Sequence, residues 1–319
     1  MELKKVLLIG GTGFVGGWIA NRLSERGIRV TIPTRHRDNT KQLILLPTVY
    51  VVEADVHDPK VLASLMTGVD AVINLVGILH DGDSAKPYGK RFAAAHVDLP
   101  RKILAAMKQT GVRRLVHMSA LRAAVDAPSA YLRSKGEGEA AVCAAMNELD
   151  ITVFRPSVIF GPGDSFLNTF ATLLRLFPVM PLGGAGARFQ PVYVGDVADA
   201  FAACLTDHAT FGQTYELCGP RVYSLRELVD YTGELIGQQR LVINLPDTLA
   251  YLQAAFLGLL PNPPMSPDNL RSMQVESVTD GRRNYPGWQP RSLEAVAPGY
   301  LSSSTPKLRL DSYRCRAGR

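Results

Sequence analysis

The chain has 319 residues, of which 46% are hydrophobic and 20% are charged, and its formal net charge is +6. This composition is typical of a soluble globular protein with one large two-lobed domain or two domains. Residues 301–319 carry five basic side chains and one acidic side chain, a net charge of +4, so the other 300 residues carry only +2. The small positive charge of residues 1–300 excludes a basic nucleic-acid-binding domain. We interpret the concentrated charge of residues 301–319 as a disordered tail, with an electrostatic tether as the alternative.

Cysteine and histidine spacing excludes the common metal and redox motifs. The six histidines are scattered, and we expect no metal site. The N-terminus enters a strand without an apolar signal segment, and no apolar run is long enough to span a bilayer. These features predict a cytoplasmic protein with reduced thiols. The four cysteines are Cys143, Cys204, Cys218 and Cys315.

In the first half of the chain, apolar runs alternate with segments of helical periodicity. Their short connections predict an α/β fold of the doubly wound, Rossmann type. Helices would cover both faces of a parallel sheet, and ligands would bind beyond the carboxyl ends of its strands. The predicted strands are residues 4–9, 29–34, 49–52, 70–75, 114–119 and 151–156, and the predicted helices are residues 13–26, 41–46, 59–66, 91–109 and 130–149.

From residue 161 onward, prolines and glycines become dense. We therefore predict a Rossmann-type domain over residues 1–160, a small C-terminal α+β lobe for a substrate or partner over 161–300, and a disordered basic tail over 301–319. Segments near 191–217 are predicted to return to the first domain. The predicted helices of this half are residues 166–177, 196–206, 225–236 and 248–260, and its strands lie near 192–194, 214–217 and 241–244.

A cluster of glycines follows the first predicted strand and opens the first predicted helix. Such a turn aims backbone N–H groups and the positive end of the helix dipole at an anion. Glycine lets a pyrophosphate approach the backbone closely, so the turn predicts a dinucleotide cofactor; a purely structural turn is the alternative. The residues are Gly10, Gly11, Thr12, Gly13, Phe14, Val15 and Gly16.

Two arginines, Arg35 and Arg37, follow the second predicted strand. The adenosine ribose of a bound dinucleotide is read about 20 residues after the glycines. An acidic side chain there would suit the 2′-hydroxyl of NAD, whereas guanidiniums suit the 2′-phosphate of NADP by charge and geometry. The sequence favours NADP(H) over NAD(H), and the alternative is a solvated basic loop.

The third and fourth predicted strands are also followed by candidate cofactor contacts. Asp55 could accept a hydrogen bond from an adenine amino group, with the Val56 backbone beside it. A carboxylate at the start of the next helix, ahead of Pro59, is an equally good interpretation. Val76 and Gly77 follow the fourth strand, where glycine lets the backbone pass close to a ribose or phosphate; a turn glycine is the alternative.

Ser119 ends the fifth predicted strand, and Tyr131 and Lys135 lie near the start of the next helix. Residues at i and i+4 share one helical face. A Lys135 ammonium beside the Tyr131 phenol would stabilise the phenolate and lower the pKa of the phenol toward the working pH. Tyr131 could then exchange a proton with a carbonyl or hydroxyl oxygen that Ser119 orients.

These motifs together resemble an extended or atypical short-chain dehydrogenase/reductase of the NAD-dependent epimerase/dehydratase superfamily. More narrowly, the chain is similar to the branch that contains the nucleotide-binding accessory subunit of respiratory complex I, in which the fold holds NADPH without an established turnover. The resemblance covers nearly the whole chain to about residue 301. It rests on residues 10–16, 55–56, 74–77, 119, 131–139, 155–168, 190–197 and 266–273.

The resemblance implies a seven-stranded sheet that holds a nicotinamide cofactor, with a small lobe over a substrate cleft. It implies acid/base and cofactor-ribose roles for Tyr131 and Lys135, and a substrate-oxygen role for Ser119. Pro156, Ser157 and Val158 would run beside the nicotinamide. The chain departs from the family pattern in having His96 where many extended members carry Asn, and in a shortened serine stretch at 119–120.

Residues 248–260 are apolar nearly all round the predicted helix. Thirteen residues make about 20 Å of helix, too short for the roughly 30 Å core of a bilayer. The segment is either buried in the second lobe or docked on a membrane surface or a respiratory partner. Docking would place the protein at the periphery of the inner membrane.

Three functions fit these features. The first is an NADP(H)-dependent oxidoreductase acting on a hydrophobic carbonyl or hydroxyl compound, with a quinone such as ubiquinone as one option. The second is a non-catalytic cofactor-holding subunit or assembly factor of respiratory NADH:quinone oxidoreductase. The third is a nucleotide-sugar epimerase or dehydratase, against which the apolar second lobe argues.

Overall fold

A computed structural model of the chain describes residues 3–40, 42–82, 86–259 and 263–302. Most of the basic tail and Cys315 lie outside the described residues. So do Lys41, the first residue of one predicted helix, and Leu260, the last residue of another. The chain divides into two compact units. The first comprises Met1–Pro156, Gly195–Leu217 and Gly281–Pro286, and the second comprises Ser157–Val194, Cys218–Asp280 and Gly287–Arg319.

The described strands are short and regularly spaced along the chain. They are β1 (Lys5–Ile9), β2 (Arg29–Thr34), β3 (Val49–Glu53), β4 (Ala71–Asn74), β5 (Arg114–Met118), β6 (Asp150–Pro156), β7 (Ile159–Phe160), β8 (Val179–Leu182), β9 (Arg188–Phe189), β10 (Val192–Tyr193), β11 (Gln213–Leu217), β12 (Tyr223–Ser224) and β13 (Leu241–Asn244).

The described α-helices lie between these strands. They are α1 (Phe14–Glu25), α2 (Pro59–Met66), α3 (Lys90–Phe92), α4 (Leu99–Thr110), α5 (Ala130–Ala144), α6 (Phe166–Leu176), α7 (Val194–Cys204), α8 (Leu225–Leu235), α9 (Asp247–Leu257), α10 (Pro267–Ser272), α11 (Leu293–Val296) and α12 (Pro298–Leu301). None of the helices within the described ranges is long and apolar enough to cross a membrane.

Seven parallel strands form the sheet of the first unit, in the order β11-β6-β5-β4-β1-β2-β3. The apolar residues of β1 are at most 1% exposed, as expected for a strand covered on both faces. On one face, Leu62 of α2, Ile103 of α4 and Val142 of α5 share a core cluster. The Rossmann-type fold predicted from the sequence is confirmed.

The predicted helix over residues 91–109 is interrupted. A π-helical turn, Ala93–Asp98, separates α3 from α4. Pro100 has no N–H to donate to the carbonyl of His96 four residues earlier, so the regular α-helical ladder cannot run through this point. Gly138 of α5 packs against that carbonyl, since a Cβ at Gly138 would lie 1.8 Å from the His96 oxygen.

The loop between β1 and α1 depends on two glycines. Gly10 has a φ of +81°, and a Cβ there would lie 3.1 Å from the backbone of Leu75 and Val76. A Cβ on Gly16 would lie 2.5 Å from the Cα of Gly11. The first turn of α1 therefore packs directly on the loop that precedes it.

The second unit contains three two-stranded sheets: β7 with β10, β9 with β12, and β8 with β13. In α9, Ala250 and Ala254 are buried, whereas Leu249, Leu252 and Phe256 are 51%, 68% and 72% exposed. The apolar helix predicted at 248–260 therefore buries one side, which carries Ala250 and Ala254, and exposes large apolar side chains on another.

Neighbouring glycines of α1 should respond oppositely to the same substitution. Gly16→Ala should lower the free energy of unfolding by about 2 kcal/mol, because the new methyl group overlaps Gly11. Gly17→Ala should raise it by up to about 1 kcal/mol, because a Cβ there meets nothing within 4 Å and alanine favours a helix interior. Urea unfolding measures both; equal effects would contradict the described packing of the loop.

Candidate functional site

The predicted cofactor residues of the first unit lie beyond the carboxyl ends of adjacent parallel strands. The glycine turn follows β1, Arg35 follows β2, and residues 76–77 follow β4, which pairs with β1. Gly13 is the N-cap of α1 and has no side chain to cap the helix. The N–H groups of the first turn are therefore oriented toward this edge of the sheet, where an anion would be favoured.

The residues of the turn differ in exposure. Gly11, Val15 and Gly16 are buried, Phe14 is partly buried, and Thr12 and Gly13 are exposed. A Cβ on Gly10 or Gly16 would strike neighbouring backbone atoms. The exposed part of the turn is therefore a stretch of backbone that a phosphate can approach, which fits the predicted pyrophosphate cradle.

Arg35 and Arg37 are both exposed. Arg35 directly follows β2, and Arg37 opens a 3₁₀ turn, Arg37–Thr40, in which the Thr40 hydroxyl donates to the Arg37 carbonyl at 2.6 Å. The structure thus places two guanidiniums just after the strand that neighbours β1. Residues 42–46, predicted as part of a weak helix, form turns instead.

Two different carboxylates, Asp55 and Asp58, close the turn after β3 and cap helix α2. Asp55 Oδ1 accepts from the N–H of His57 at 3.0 Å and closes the turn after β3. The N-cap of α2 is Asp58, whose carboxylate accepts from the N–H of Lys60 at 2.8 Å. The interpretation of Asp55 as the helix-start carboxylate is therefore wrong. Asp55 is exposed, and Val56 packs against the core.

The segment after β4 is held by Asn74. Its side-chain oxygen accepts from the N–H of Val76 at 3.2 Å, and its amide lies 3.1 Å from Nδ1 of the buried His117. Burial and the Lys135 charge lower the pKa of His117 to about 3, so the ring is neutral. Gly77 follows, and a Cβ on it would lie 3.9 Å from Lys135 Nζ.

Helix α5 brings Tyr131 and Lys135 onto one face, one turn apart. Its N-cap Ser129 accepts from the N–H of Leu132 at 3.1 Å. Lys135 is 4% exposed and donates from Nζ to the Met118 carbonyl at 2.7 Å. Burial lowers the pKa of Lys135 to about 8, and the Coulombic attraction of the Glu139 carboxylate opposes that shift.

The expected lowering of the Tyr131 pKa is wrong. Burial raises the pKa of Tyr131 to about 12. The charged phenolate loses hydration in this environment, and that loss outweighs any attraction to the Lys135 ammonium. The phenol is consequently protonated at neutral pH.

Ser119 directly follows β5. Its buried hydroxyl donates to Glu139 Oε2 at 2.5 Å. Glu139 is itself buried, and its Oε1 forms an ion pair with Arg155 Nη2 at 2.6 Å. The buried carboxylate needs these donors, and the contact of Ser119 with a substrate oxygen stays a prediction.

Glu139 and Arg155 were missed as site residues by the sequence analysis. Glu139 lies four residues after Lys135 and therefore on the same helical face, which is a usable signal. Arg155 is a charged residue in the otherwise apolar end of β6, which suggests a buried partner. Spacing could not reveal that Ser119 completes the cluster, because that contact joins β5 to α5.

Pro156, Ser157 and Val158 are divided between the two units. The Pro156 carbonyl accepts from the N–H of Leu121 at 2.9 Å within the first unit. In the second unit, the Ser157 hydroxyl donates to the Ser277 carbonyl at 3.0 Å, and the Val158 carbonyl accepts the strand hydrogen bond of Val192. Their placement beside a nicotinamide stays a prediction.

A family model for the NAD dependent epimerase/dehydratase family matches residues 6–218. The chain belongs to this family, whose NAD(P)-binding Rossmann fold it shares. Within the family it resembles the respiratory branch: NADH dehydrogenase (ubiquinone) 1 alpha subcomplex subunit 9 of Arabidopsis thaliana is 32% identical over 283 residues, which cover 85% of this chain and 69% of that protein.

Two further likenesses cover most of the chain. A ceramide reductase of Caulobacter vibrioides is 28% identical over 243 residues, which cover 76% of this chain and 74% of that protein. The structure of a double mutant of dTDP-glucose 4,6-dehydratase from Streptomyces venezuelae superposes with a TM-score of 0.71 at 20% identity, covering 93% of this chain and 95% of that chain. The structural likeness shows the shared fold.

Proposed function

We propose that the chain binds NADP(H) at the carboxyl edge of the seven-stranded sheet and reduces the carbonyl group of a hydrophobic, quinone-like substrate. One observation carries this proposal: Lys135 Nζ and Gly77 lie together beyond β4 and β5, on the helix face that Tyr131 shares. Strand β4 pairs with β1, which leads into the glycine turn. The likeness to a ceramide reductase supports a reductase of apolar substrates.

The residues present fit a dinucleotide, because Thr12 and Gly13 expose the backbone of the turn and a pyrophosphate can approach it. The bound cofactor would supply a hydride to the carbonyl carbon. Tyr131, protonated because its pKa is about 12, donates the proton that the carbonyl oxygen then requires. Lys135 would balance the charge left on the phenolate oxygen and would contact the cofactor ribose. The substrate carbonyl would become a hydroxyl group.

A protonated Tyr131 is the form that reduction of a carbonyl requires. An acid with a pKa of about 12 holds its proton at neutral pH and releases it to a developing alkoxide, whereas alcohol oxidation would need the phenolate. Ser119 is occupied by Glu139, so Tyr131 is the proposed donor to the substrate oxygen.

Tyr131→Phe removes only the hydroxyl of the proposed acid. NADPH oxidation by a short-chain ubiquinone or a long-chain ketone should fall at least 100-fold, with NADPH affinity within about twofold of wild type. Tyr50→Phe, an exposed tyrosine of β3, is the matched control and should leave turnover intact. Unchanged turnover in the Tyr131 variant would refute the acid role.

The proposed preference for NADP(H) rests on Arg35 and Arg37. The variant Arg35→Ala with Arg37→Ala should weaken NADPH binding at least tenfold, because charge-assisted hydrogen bonds to a phosphate contribute about 1.5–3 kcal/mol each. NADH affinity should change less than twofold. Calorimetric titration with NADPH and with NADH measures both affinities. The control is Arg113→Ala, which removes one side of an exposed ion pair. Equal losses of affinity for NADH and NADPH in the double variant would contradict the proposed preference.

A second function is favoured by α9. Leu249, Leu252 and Phe256 recur at helical spacing and form one exposed stripe, which we call the α9 apolar face. Exposed apolar patches of this kind mark contact sites. Together with the likeness to a complex I subunit, this face supports a cofactor-holding subunit or assembly factor of respiratory NADH:quinone oxidoreductase at the inner-membrane periphery.

The second function predicts association through the α9 apolar face. Wild-type protein should co-migrate with NADH:quinone oxidoreductase from its own membranes on native gels, and Leu252→Ser with Phe256→Ser should reduce that fraction at least tenfold. Leu45→Ser, which alters an 83% exposed leucine of the first unit, is the control. Co-migration that survives the double substitution would exclude this face as the contact.

A further inference from the structure

The π-helical turn Ala93–Asp98 directs a buried histidine at the candidate site. His96 is 2% exposed. Its ring stacks on Phe92 with centroids 5.3 Å apart and meets the Tyr131 ring edge-on at 5.6 Å. The His96 backbone is closely packed, because Gly138 lies directly against the His96 carbonyl. π-helical turns occur frequently at functional sites, so the role of this ring needs an explanation.

The hydrogen bonds of His96 assign its tautomer. The N–H of Ile78 donates to Nε2 at 3.0 Å, and an amide N–H can only donate, so Nε2 carries no proton. Nδ1 therefore bears the proton and donates to Ser134 Oγ at 2.8 Å. The Ser134 hydroxyl donates in turn to the Tyr131 carbonyl at 2.8 Å. A directed chain thus links the segment after β4 to the first turn of α5.

This chain of hydrogen bonds fixes the distance between residues 76–78 and the Lys135 ammonium. A Cβ on Gly77 would lie 3.7 Å from His96 Nε2 and 3.9 Å from Lys135 Nζ, so the Gly77 backbone runs next to both groups. A shift of Ile78 would alter the distance between residues 76–78 and the Lys135 ammonium. The imidazole is the part that holds this distance.

We propose that His96 is a positioning residue that clamps residues 76–78 to the first turn of α5, and so sets where the nicotinamide end of the cofactor lies against Tyr131 and Lys135. The proposal rests on the proposed function for the identity of the ligand. His96 moves no proton: both ring nitrogens are engaged by protein groups, and burial together with the Lys135 charge lowers the pKa of His96 to about 2.

Hydrogen exchange and cofactor binding test the clamp together. His96→Phe keeps a ring between Phe92 and Tyr131 but removes both hydrogen-bonding atoms. In protein without added cofactor, exchange of the Ile78 amide should accelerate at least tenfold, and NADPH affinity should fall at least tenfold. His96→Asn, which retains an acceptor and a donor, should recover part of both losses.

Two further variants complete the test. Ser134→Ala removes only the middle hydroxyl and should weaken NADPH binding about threefold to fivefold; it replaces His96→Phe as the test if that variant does not fold. His208→Gln, an exposed histidine of the same unit, should change neither measurement. If His96→Phe shows wild-type exchange at Ile78 and wild-type NADPH affinity, the proposal is overturned. Where Ser134→Ala serves as the test, the same two results in that variant overturn it. Wild-type protein that binds no NADPH would refute the proposed function, while exchange at Ile78 would still decide the clamp.

Discussion

The candidate site depends on a buried ammonium group. Lys135 Nζ donates to the Met118 carbonyl at 2.7 Å from a side chain that is 4% exposed. Burial alone drives such a group toward its neutral form, so it needs an acceptor and a nearby negative charge. Met118 provides the acceptor at the end of β5, and Glu139 provides the charge one turn along α5. Holding Lys135 in this way also places Tyr131, which precedes it by one turn.

The polar groups around Lys135 are satisfied by one another, which determines the chemistry that each can perform. Ser119 and Arg155 both donate to Glu139, so the proton of the serine hydroxyl is engaged within the protein. His117 is held neutral by its buried position near a cation. Tyr131 keeps its proton because burial disfavours the charged phenolate. The arrangement supports proton donation by the Tyr131 hydroxyl alone better than proton donation by Ser119 and Tyr131 together.

The two proposed functions use different units of the chain. Dinucleotide binding and reduction depend on the first unit, where the strand ends and α5 meet. Association with a respiratory complex depends on the α9 apolar face in the second unit. Because the groups do not overlap, the functions are compatible. A cofactor-holding subunit could keep its Tyr131 and Lys135 arrangement whether or not a substrate turns over.

Sequence patterns alone predicted the fold class, the strand bounds of β2, the glycine turn and the shared face of Tyr131 and Lys135. These features follow from local periodicity and from the conformations that glycine permits. Tertiary structure alone decided the partner of Ser119, the π-helical turn at His96, the exposed side of α9 and the return of Gly281–Pro286 to the first unit. Periodicity determines which residues share the face of one element, but the element packed against that face determines what each side chain contacts.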